Sequence, residues 1–92
     1  MASEEIQIVR LVIDALKPRE FSIVELARML CSLEGVERVN ISVREVDVKT
    51  ETIKITVEGS ELDVESINEL LNDGGIAVRS IDEVSAKSST SQ

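Results

Sequence analysis

The chain divides into stretches that alternate apolar with polar residues and stretches that repeat apolar residues at helical spacing. Residues 5–16, EIQIVRLVIDAL, are apolar and β-branched, with Val9, Leu11, Ile13 and Ala15 on one parity. They predict a first strand, ended by Lys17-Pro18, because proline restricts the residue before it and cannot donate to a ladder. Residues 40–59, NISVREVDVKTETIKITVEG, separate into two sets. Ile41, Val43, Ile53, Ile55 and Val57 form an apolar side, and Asn40, Ser42, Arg44, Thr52, Lys54, Thr56 and Glu58 a polar one. A second strand over 36–47 and a third over 51–58 are predicted, joined as an antiparallel hairpin by the short DVKTE link. Residues 76–86, IAVRSIDEVSA, predict a fourth strand. Ile76 and Val78 share one parity and Ile81 has the other, which places a bulge near Ser80.

Two helices lie between these strands. Ser22 followed by Glu25 has the spacing of a capping box, with Phe21 and Leu26 placed to staple the first turn. Ile23, Leu26, Ala27, Leu30 and Leu33 recur at helical spacing, and Gly35 suits a C-terminal cap, so the first helix is predicted over 22–34. Asp63 caps the second helix, Leu62 and Ile67 staple it, and Asn72-Asp73-Gly74-Gly75 ends it.

The predicted order is β-α-β-β-α-β. An internal match at an offset of 40 residues supports two related halves: Val24-Glu25 with Val64-Glu65, Leu30 with Leu70, and Gly35-Val36 with Gly75-Ile76. Two right-handed halves interleave as a ferredoxin-like α+β two-layer sandwich, with an antiparallel sheet in the order 4-1-3-2 and both helices on one face. Odd-numbered residues of the first three strands then face the helices. The even-numbered ones, including Arg10, Val12, Asp14, Arg44, Val46 and Lys54, form an open face. Residues 1–87 make one domain, and 88–92 are expected to be a disordered polar tail.

Composition narrows the functions open to such a domain. The 92 residues carry 18 acids against 10 bases, a net charge of −8, with one aromatic residue, Phe21, and no histidine. Single-stranded RNA binding on an open sheet needs stacking platforms and a basic groove, so no nucleic acid partner is expected. The acidic balance also disfavours anionic membranes, and no apolar run approaches the ~18 residues of a membrane span. The opening MASEEIQ lacks a signal-peptide hydrophobic region, and a soluble cytoplasmic protein is the expectation.

Without histidine, Ser-His-acid triads and imidazole acid–base catalysis are excluded. Cys31 is a single cysteine flanked by Leu30 and Leu33, expected as a small buried or half-buried apolar residue with no base to activate it. Gly74-Gly75 follows a helix rather than a strand, and no glycine-rich phosphate loop is present.

Acids are therefore the remaining candidates for chemistry. Asp14 interrupts RLVIDAL on the open face. It either pairs across strands with Lys54 or Thr52 or supplies a carboxylate to a hard cation such as Ca²⁺ or Mg²⁺. Asp82 and Glu83 are the further candidate metal ligands. As consecutive strand residues they face opposite ways unless bulged, and simple pairing places Asp82 nearer Val9 than Asp14, too far to share an ion within one chain.

The second and fourth strands are sheet edges with unpaired backbone groups. Arg38, Arg44, Asp82 and Glu83 on these edges, with Val12 and Val46 on the open face, are candidate contacts between subunits. Head-to-tail pairing of unlike edges closes into a ring or extends as a filament. The expectation is a non-enzymatic, self-associating binding or regulatory module forming a homo-oligomer. The alternatives are a hard-cation or small-ligand sensor and an enzyme using paired carboxylates. No cofactor beyond such an ion is expected.

The segments RLVIDALKP (10–18), SIVELA (22–27), LEGVERVNISVREVD (33–47), IKITVEG (53–59) and GGIAVRSIDEV (74–84) together resemble a small, mostly archaeal family, domain of unknown function 211. The resemblance covers roughly residues 8–86. It implies a ferredoxin-like fold and an oligomer-forming protein of unassigned biochemical role, and it carries over no catalytic residue. Asp14, Asp47, Asp82 and Glu83 fall within the matching segments.

Overall fold

A computed structural model of the chain describes residues 5–88. The elements are β1 (Ile6–Pro18), α1 (Ile23–Cys31), β2 (Val36–Val46), β3 (Thr50–Gly59), α2 (Val64–Asp73) and β4 (Ala77–Ser88). All neighbouring strands are antiparallel and the sheet order is β2-β3-β1-β4. This is the ferredoxin-like α+β arrangement, the 4-1-3-2 order read from its other edge. Of the polar tail expected over 88–92, Ser88 pairs with Ile6 in β4, and the remainder lies outside the described residues.

The helices form where the sequence supplies caps and a stripe. Ser22 Oγ accepts the backbone N–H groups of Val24 and Glu25 at 3.1 and 3.3 Å, satisfying donors that a helix start leaves unpaired. The helix is shorter than expected. Ser32 Oγ donates to Met29 O at 2.7 Å, and Leu33 N donates to Leu30 O, so the chain turns before Gly35. Cys31 is exposed, a correction to its expected burial. It falls about 100° round the helix from Leu30, off the stripe that Leu26 and Leu30 bury.

The core lies between the sheet and the helices. Leu11, Ile13 and Ala15 from β1 and Ile53, Ile55 and Val57 from β3 meet Leu26 and Leu30 of α1, Ile67 and Leu71 of α2, and Leu62 and Ile76 at the ends of α2. The inward parity predicted for β1 and β3 is thus observed through their centres. It breaks at the bulges. Val9 is the extra residue between the Ile8–Ala86 and Arg10–Ser85 pairs, so Ile8, rather than Val9, packs against the core. Arg44 is the extra residue between the Val43–Ile53 and Glu45–Thr52 pairs. Val46 therefore opposes Glu51, which opposes the buried Lys17, and it belongs to the helix side rather than to the open face.

Two glycines bring the hairpin and the α1–β2 turn together. Gly35 has φ +89°, and a Cβ on Gly59 would lie 2.0 Å from Gly35 O. No other residue type fits at Gly59 without moving the backbone.

Candidate functional site

The sheet face turned away from the helices holds most of the chemistry-bearing side chains. Arg10 stands at its centre line on β1. Its guanidinium lies 2.9 Å from Glu83 Oε2 on β4 and 2.5 Å from Glu58 Oε2 on β3, joining three strands. The hydrogen bonds that Arg10 donates to Glu83 and then to Glu58 raise the Arg10 pKa above its ordinary value, because both favour the charged form. Arg38 on β2 approaches the other Glu58 oxygen at 3.9 Å.

Further along the same face is an open depression of about 430 Å³ lined by Val12, Asp14, Arg44, Lys54, Asp82 and Glu83. The β4 strand that borders it is bulged. Val78, Ser80, Ile81, Glu83 and Val84 oppose Ala15, Asp14, Ile13, Val12 and Leu11 in turn, leaving Arg79 and Asp82 as extra residues. The extra residue at 82 carries Asp82 and Glu83 to the same depression, and with them Asp14. Sequence reasoning separated Asp14 from Asp82 because it assumed an unbroken ladder. The shifted register overturns that separation.

The three acids line one depression without forming a ligand set. Asp14 Oδ2 pairs with Arg79 Nε at 3.5 Å, although Lys54 is the residue directly opposite it. Glu83 is held by Arg10, and Asp82 Oδ1 accepts the Ser80 hydroxyl at 2.7 Å. Among the described residues no three of His, Cys, Asp and Glu are grouped so that they would hold a metal ion. The two remaining cations, Arg44 and Lys54, have no side-chain hydrogen bond or ion pair among the described residues.

The candidate subunit contacts sort differently from expectation. Val12 is only 4% exposed, so it offers the floor of the depression rather than a surface for a partner. Arg44, Asp82 and Glu83 line that depression, and Arg38 lies beside Glu58. Val46 is 60% exposed, on the helix side. A second apolar feature was not anticipated. Val78, Ile81 and Val84 occupy core-facing register positions opposite Ala15, Ile13 and Leu11, yet they are 38%, 43% and 53% exposed. Val78 and Ile81, with Asn68, Asn72, Ile76 and Ala77, line a groove of about 320 Å³ between α2 and β4. The signal was present in the sequence as a spacing of three, which a strand can keep on one face only through bulges.

The fold and these surfaces define a ferredoxin-like α+β domain with an open polar sheet face. The chain belongs to the DUF211 family, described as uncharacterized ArCR, whose model matches residues 9–90. It is similar to the uncharacterized protein MJ0319 of Methanocaldococcus jannaschii, with 46% identity over 77 residues that span 84% of this chain and 79% of that protein. Among the described residues no helix is long and apolar enough to cross a membrane.

Proposed function

We propose that the protein is a non-enzymatic, self-associating binding or regulatory module that forms a homo-oligomer through its two sheet edges. One observation carries this reading: β4 presents core-side residues that the helices cover only in part. Val78, Ile81 and Val84 continue the layer of Ala15, Ile13 and Leu11, which are at most 1% exposed. Apolar area of this kind is favourable to remove from water at about 25 cal/mol per Å².

A second copy of the chain offers a complementary strip. The opposite edge strand, β2, bears Val43 and Val46, 38% and 60% exposed, also on the helix side. Each copy thus offers one apolar strip on β4 and another on β2, each beside an edge with unpaired backbone groups. Joining unlike strips is a heterologous contact, which closes into a ring or grows as a filament according to the rotation.

Size-exclusion chromatography with light scattering at micromolar protein tests the proposal. A mass several times the 10.1 kDa of one chain is expected. A monomer would overturn it.

A further inference from the structure

The depression on the open face has a polarity that self-association through the helix-side strips does not use. The two lining cations that have no partner among the described residues lie on one half of the sheet, Arg44 on β2 and Lys54 on β3. Asp82, the lining acid with no cationic partner among the described residues, lies on β4 at the other end. Asp14 lies between them on β1, already paired with Arg79, and Val12 forms an apolar floor.

From this arrangement we propose that the depression binds a small zwitterion, an α-amino acid, with its carboxylate on Lys54 and Arg44 and its ammonium on Asp82. Arginine and lysine are suited to a carboxylate, and arginine can hold it bidentately. An ammonium offers three donors to a carboxylate such as Asp82. Lys54 and Asp82 are two strand spacings apart, roughly 10 Å. An amino acid bridging two charged side chains by hydrogen bonds of about 2.8 Å spans a comparable distance, because its N–Cα and Cα–C bonds add only about 1.5 Å each.

Charge selects this ligand class over its neighbours. A bare polyanion meets a chain of net charge −8, and its approach is opposed by the field of the whole molecule. A bare amine leaves Arg44 and Lys54 unpaired. A molecule that carries both charges and no net charge answers both ends of the depression.

The test is a titration of the isotope-labelled full chain with each proteinogenic amino acid at millimolar concentration, followed by amide chemical shifts. At least one amino acid is expected to shift the amides of Asp14, Arg44, Lys54 and Asp82 together. Its decarboxylated amine and its deaminated acid should each bind about tenfold or more weakly, the equivalent of one charge-assisted hydrogen bond. Lys54→Gln and Asp82→Asn, both at exposed positions, should weaken binding by a similar factor while leaving the spectrum of the free protein otherwise intact. The proposal is overturned if no amino acid moves these amides, or if the deaminated acid binds as tightly as the amino acid. Neither result depends on the oligomeric state.

Discussion

Lys17 Nζ lies 2.9 Å from Glu51 Oε1, with the lysine side chain only 1% exposed on the core side of β1. The ammonium also donates to Pro18 O at 2.9 Å and to Phe21 O, so it is both ion-paired and hydrogen-bonded. A buried charge is tolerated when it is paired and hydrogen-bonded in this way. The same ammonium ties the β1–α1 turn to the start of β3. Arg19 N→Lys49 O at 2.9 Å reinforces that junction.

Removing Glu51 leaves the lysine buried without its counter-ion. Glu51→Ala is expected to cost about 2–3 kcal/mol, below the range for a fully buried pair because the glutamate retains some solvent contact. Urea denaturation measures it. The double variant Lys17→Met, Glu51→Met should lose less than the sum of the single changes, since no charge is left stranded.

Asp63 caps α2 through Ser66, whose backbone N–H lies 3.2 Å from Oδ1 and whose hydroxyl lies 2.9 Å from Oδ2. The Ser66 hydroxyl and then its backbone N–H hold the Asp63 pKa below its ordinary 3.8. A depressed carboxylate pKa gives stability that is fully present above 3.8 and is lost as pH falls through the lower folded value. Asp63→Ala should therefore lower Tm at neutral pH, and the gap from the native protein should narrow in acid. Thermal unfolding followed by circular dichroism across pH 2–7 reads both effects at pH steps of about one unit.

Gly59 faces backbone rather than a side chain that can yield. A Cβ there would meet Gly35 O at 2.0 Å and Glu37 N at 3.0 Å. Gly59→Ala is expected to destabilise by about 2–4 kcal/mol, as measured by chemical denaturation, because the α1–β2 turn must move.

The head-to-tail contact has its own signature. Ile81→Asp disables the β4 strip and Val46→Asp the β2 strip, both at positions exposed in the single chain. Each variant alone should fall to the monomer mass in light scattering. An equimolar mixture should recover a dimer and nothing larger, because one intact strip remains on each partner. Recovery of the full assembly in the mixture would instead indicate a contact made elsewhere.

The strands, both caps and the sheet order were legible because each rests on local chemistry. Ser22 and Asp63 cap the helices expected of them, and Ile53, Ile55 and Val57 bury on the predicted parity. The site was less legible. Parity propagates along a strand only while the ladder is regular, and a single extra residue reverses every position beyond it. The bulge at Arg44 moved Val46 to the helix side, and those at Arg79 and Asp82 brought Asp82 beside Asp14's depression. Lys17 reads in the sequence as a strand end, and only its place opposite Glu51 makes it a core residue.

The sequence by itself determined the two-layer fold and the open polar face, because periodicity and residue type act within a few positions of the chain. Tertiary structure alone decided which charges are paired. Asp14 lies opposite Lys54 yet pairs with Arg79, and Arg44 and Lys54 have no partner among the described residues at one depression. It also decided that the core side of β4 is covered only in part, since helix coverage depends on how two layers of unequal width overlap, and no local pattern records that.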